Sequence, residues 1–196
     1  MRRTIALALL AAFTASSACS RSDAHTPREP PADTLHSAAE SLRRFRTGLA
    51  PVELLAPAFE SKDAVARAFV AAVGANDVPG VARTLMTRAE FAWLYYPENP
   101  VSLPPYELPA GIAWFELEGN SLAGIRRALA SHGGRPIVFR DLDCASLPVV
   151  QGANRLWNGC VVSLEQEDGS DISLRLFGSI LERDGRFKLV TAANDL

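Results

Sequence analysis

The chain has 196 residues, of which 48% are aliphatic, aromatic or cysteine, and a net charge of -2. That supplies enough apolar surface to close the core of about one ordinary domain. Charges of both signs are scattered, so a basic nucleic-acid footprint and a calcium-loop spacing of carboxylates are both excluded.

The N-terminus carries the strongest pattern. Arg2 and Arg3 form a positive start, Thr4 to Ala15 is apolar, and the small residues Ala15, Ser16, Ser17 and Ala18 lead into Cys19. This is the three-part layout of a secretory signal peptide over residues 1–18, shorter than the ~20 apolar residues of a membrane span. The residues before Cys19 resemble the lipobox of bacterial lipoproteins. Ala18 and Ser17 match its small positions, whereas Ser16 stands where leucine is usual. The resemblance implies an acylated Cys19 as the new N-terminus. It also implies an exported chain anchored to a membrane and facing the periplasm or cell exterior. The alternative is ordinary cleavage nearby and a soluble periplasmic product. With Cys19 lipidated, Cys144 and Cys160 remain as an even pair, suited to a disulfide in an oxidising compartment. Two small buried thiols are the alternative.

Residues 19–57 read as anchor, flexible tether and stalk. Pro27, Pro30 and Pro31 sit in a polar stretch that cannot bury a core. From Asp33 to Arg46 an apolar stripe (Leu35, Ala38, Ala39, Leu42, Phe45) predicts a helix, either packed on the domain or free as a stalk. A single α+β domain is expected over 58–196. Ser61 caps a helix running to about Gly74, and Asp77 caps a shorter one with Pro79 in its first turn. Thr87 and Glu90 form a capping box ahead of Phe91, Leu94 and Tyr95. Five prolines between Pro97 and Pro109 exclude a regular element there. Ser121 then opens a helix that His132, Gly133 and Gly134 close.

The last third reads as four strands: Pro136 to Cys144, Leu156 to Glu165, Ile172 to Leu181 and Arg186 to Ala193. Keeping the apolar positions of the middle two on one face requires a three-residue loop, Glu167-Asp168-Gly169. That sets Leu164 opposite Ile172 and Val162 opposite Leu174. A two-residue Asp184-Gly185 turn likewise sets Ile180 opposite Leu189. Cys144 shares parity with Val138 and Leu142, so a bridge to Cys160 is geometrically open.

Helices followed by an antiparallel meander resemble the NTF2-like, or SnoaL-like, superfamily over about Ser61 to Asn194. The resemblance rests on element order. It implies helices packed in the concave face of a curved sheet of about four strands, with a pocket between. Enzymes of that superfamily place an aspartate with a histidine or tyrosine in the cone. Here the candidates are Asp141 and Asp143, expected on one strand face with Ile137 and Phe139, and His132 at a helix end, where a capping role competes. Trp93, Tyr95, Tyr96, Tyr106 and Trp114 flank the proline-rich loop. They either line an apolar pocket with hydroxyl handles or pin the loop to the core. No zinc cluster or phosphate loop is present, so no metal or cofactor is expected. The reading that results is an envelope lipoprotein binding a small apolar ligand or a protein partner, not nucleic acid. The alternative is a small SnoaL-like isomerase or hydrolase using a strand carboxylate.

Overall fold

A computed structural model describes residues 37–196. The leader, Cys19 and the tether lie outside the described residues, as do the first positions of the predicted stalk helix. Helix α1 spans Ala38–Phe45 and is capped by the Ser37 hydroxyl. It packs on the long helix α5 (Ala110–His132), and Phe45 is buried. The folded unit therefore begins upstream of residue 58, and α1 is part of it and not a free stalk.

Helix α2 (Lys62–Gly74) starts at Ser61 as its cap predicts, and α3 (Val78–Thr84) starts at Asp77. The Thr87–Glu90 capping box is also formed, but only one α turn follows, α4 (Arg88–Glu90). The chain then widens into a π turn, Phe91–Tyr95, and tightens into the 3-10 turns Tyr96–Glu98 and Pro100–Ser102. The proline-rich stretch thus keeps short turns, which suit the fixed φ of proline at their first positions.

Among the described residues, seven strands form two antiparallel sheets, not one sheet of four. They are β1 (Val138–Asp143), β2 (Val149–Gln151), β3 (Asn154–Trp157), β4 (Val161–Glu165), β5 (Asp171–Leu174), β6 (Ile180–Arg183) and β7 (Arg186–Leu189). The sheet orders are β1-β4-β5 and β2-β3-β6-β7, so the class is α+β. Two predicted strands each break in the middle and cross from one sheet to the other. Between the pair Trp157–Ile180 in one sheet and the pair Val162–Leu174 in the other, residues 158–161 stand on the first side but 175–179 on the second. The extra residue on the second side shifts the register. Gly159, in the left-handed region at φ 64°, makes the first break. Both hairpin registers are otherwise as predicted: Leu164 opposes Ile172, Val162 opposes Leu174 and Ile180 opposes Leu189.

The junction between the sheets is fastened by the disulfide Cys144–Cys160. The Ala145 N–H donates to the Asn158 carbonyl at 2.9 Å, and the Ser179 hydroxyl donates to the Asn158 side chain. A bulge at Arg140 reverses the parity of β1, so Phe139 and Leu142 both turn inward. Val138, Asp141 and Asp143 consequently stand in solvent. The expected shared face of the aspartates with Phe139 is therefore lost.

Two cores lie on opposite faces of the four-stranded sheet. Phe69, Val73, Val162, Leu164, Ile180 and Leu189 belong to the first, and Phe45, Leu55, Phe91, Tyr96, Leu181 and Val190 to the second. Consecutive residues Ile180 and Leu181 are both fully buried because each face of β6 is covered. Helix α5 spans both cores: Ala110, Trp114 and Leu117 pack on the second, while Ile125, Ala128 and Leu129 pack on the first.

Candidate functional site

The π turn places Phe91 and Tyr95 beside the N-terminal half of α5. An open groove of about 310 Å³ lies between them. Its α5 wall is a helical stripe, Ala113, Glu116, Leu117 and Asn120, at the spacing that puts residues on one face. The opposite wall is Tyr95, Asn99, Val101 and Leu108, with Val190 on the sheet side and Ser179 and Thr191 closing one end. The lining combines apolar side chains (Phe91, Val101, Leu108, Ala113, Leu117, Val190) with polar ones, the kind of mixture that small-molecule sites use. π turns often occur where function demands a local departure from the α ladder.

The walls are held from behind. Phe91 packs on Trp114 and Tyr96 with ring centroids 5.3 and 5.5 Å apart, and on Phe45 edge to face at 5.6 Å. The Tyr96 hydroxyl donates to the Leu108 carbonyl at 2.6 Å, fixing the loop over the core. Asn99 accepts from the Val101 N–H at 3.0 Å and caps its own 3-10 turn. Burial raises the pKa of Tyr95, against which a hydrogen bond with Asn99 acts, and burial raises that of Tyr96. Both phenols stay protonated at neutral pH and carry no charge; the Tyr96 proton is already given to the Leu108 carbonyl.

Of the five predicted aromatics, Tyr95 lines the groove, and Tyr96 and Trp114 support it. Trp93 turns away, with the Arg46 guanidinium 3.9 Å from its ring centroid. Arg46 also donates to the Ala92 carbonyl, and burial lowers its pKa. Tyr106 is 72% exposed and lines nothing. Pinning the loop to the core is therefore the role of Tyr96 and Trp114, and pocket lining that of Tyr95. Asp141 and Asp143 are exposed and do not line the groove. His132 is the last residue of α5, buried in a separate depression with Arg135, Gln166 and Asp168. Its pKa is lowered by burial and then by the Arg135 charge.

Sequence reasoning missed Glu116, Leu117, Asn120 and Asn99. The first three precede Ser121, in a segment whose Gly119-Asn120 pair obscures a helical pattern. The i, i+4 pair Ala113–Leu117 was the available signal. Among the described residues, no group of three or more His, Cys, Asp or Glu is placed to hold a metal. No described helix is long and apolar enough to cross a membrane. Compared with protein families, curated proteins and solved structures, the chain matches none of them.

Proposed function

We propose that this chain is an exported envelope lipoprotein, anchored through Cys19, whose folded part is a non-catalytic module binding a small apolar ligand. The observation that carries the binding role is the groove between the π turn and α5. It brings the apolar side chains of Phe91, Leu117 and Val190 together with polar groups in one groove. The three-part leader supports export, and the Cys144–Cys160 bridge is the chemistry of an oxidising compartment. The element order, helices first and antiparallel strands after, supports a distant NTF2-like relationship. Export to a membrane surface would put such a groove where apolar molecules concentrate.

The test is titration of the full mature chain with a neutral solvatochromic dye. Saturable binding that decanol displaces is expected. Ala113→Trp, which fills the groove between Phe91 and Leu117, should abolish it. Dye binding that does not saturate, or that survives the substitution, overturns the ligand reading. Mass spectrometry of the mature N-terminus tests the anchor, with a diacylated or triacylated Cys19 expected and an unmodified chain opposing it.

A protein partner is the second reading. Tyr106 and Phe115 favour it, being 72% and 74% exposed on the loop and first turns of α5. The enzymatic alternative required a pocketed strand carboxylate, and Asp141 and Asp143 face solvent instead.

A further inference from the structure

We infer that the groove selects amphipathic ligands bearing a protonated amine and discriminates against carboxylates. This rests on the reading of the groove as a ligand site. Among the described residues, no lysine or arginine lines the groove, and Glu116 is the one charged lining residue. Glu116 and Asn120 lie four residues apart on the same side of α5, so a head group there meets a carboxylate beside a carboxamide, and of the two only the carboxylate distinguishes the head's charge. At the groove end Thr191 Oγ1 accepts from the Ser121 hydroxyl at 2.9 Å and from the Ala193 N–H at 3.1 Å, and it carries no charge to favour either head group. A carboxylate ligand would therefore bury its apolar tail with no cation to meet its head and a like charge beside it. An alkylamine buries the same tail and pairs its head with Glu116.

The pairing is solvent-exposed, so the preference is modest. An exposed ion pair favours the amine over a neutral head by about two- to fivefold. The probes are decylamine, decanol and decanoate, which share one tail and differ only in head charge at neutral pH. Each is measured by calorimetry against the full mature chain at low salt. The expected order is decylamine tightest, then decanol, then decanoate. Glu116→Gln should bring the amine-to-alcohol ratio to about one, while Glu118→Gln, exposed on the same helix outside the groove, should leave that ratio unchanged. Equal binding of all three probes, or an amine preference that survives Glu116→Gln, overturns the head-group inference and leaves the groove reading standing. If none of the three binds, the groove reading falls and this inference with it.

Discussion

Lys188 Nζ lies 3.0 Å from Glu90 Oε2, and both side chains are shut off from water. The same carboxylate accepts the Ala56 and Thr87 N–H groups, each at 2.7 Å. One buried anion thus ties β7, the segment before α2 and the capping box into one assembly. Removing either partner strands a buried charge. Lys188→Met and Glu90→Gln should each destabilise the fold by about 3–5 kcal/mol. The double variant should lose less than the two single losses added together. Urea unfolding of the three variants checks this, and additive losses would show that the ion pair is not coupled.

The bridge at the sheet junction closes a loop with a sequence separation of 16. Cross-linking a loop of that size contributes about 3 kcal/mol by restricting the unfolded chain. The Cys144→Ser/Cys160→Ser protein should unfold at correspondingly lower denaturant with its fold retained. Loss of the β1–β4 pairing in that variant, read by amide exchange, would give the bridge a larger role than chain entropy.

Two glycines of α5 should respond in opposite directions to alanine. A Cβ on Gly124 would sit 1.8 Å from the Ala192 carbonyl oxygen, whereas one on Gly119 meets nothing within 4 Å. The C-terminal segment docks at Gly124: its carbonyl accepts from Asn194 Nδ2 at 2.8 Å, and the Ala192 N–H donates to Ser121 at 3.3 Å. Gly124→Ala should lower stability by about 1–3 kcal/mol through overpacking. Gly119→Ala should raise it by about 0.5–1 kcal/mol through helix propensity. Melting temperatures of the pair decide it.

His132 sets a pH dependence. Burial, then Arg135, holds its pKa below the usual 6.5, so the unfolded chain takes up a proton before the folded one does. Its contribution is fully present above 6.5 and is lost as pH falls through and below that value. Wild-type stability should therefore rise with pH across this window, and His132→Gln should flatten the slope. Parallel pH profiles for the two proteins would contradict the assignment.

Local chemistry made much of the fold readable. Ser61, Asp77 and Thr87 cap where their side chains predict, and Gly169 and Gly185 set the hairpin registers, because each signal acts within a few residues. What stayed hidden depends on contacts distant in sequence. Helix α5 begins at Ala110 because the Ser41 hydroxyl of α1 accepts the Ala110 N–H at 3.0 Å, a cap supplied from elsewhere in the chain. Lys188 alternates like a solvent-facing strand residue, yet it is buried because both faces of its sheet are covered. The Arg140 bulge reversed the face of the aspartates, and no turn residue announces it. For the site, Tyr95 and the role of the proline-rich loop were legible, while the α5 wall was not, since its helix could not be traced upstream of Ser121.

The most direct test of the groove is amide chemical-shift mapping of the full mature chain titrated with decanol. Binding in the groove predicts saturating shifts at Tyr95, Asn99, Val101, Leu117 and Val190, with β1 unmoved. Shifts centred on Asp141, Asp143 and His132, with Tyr95 and Leu117 silent, would contradict it.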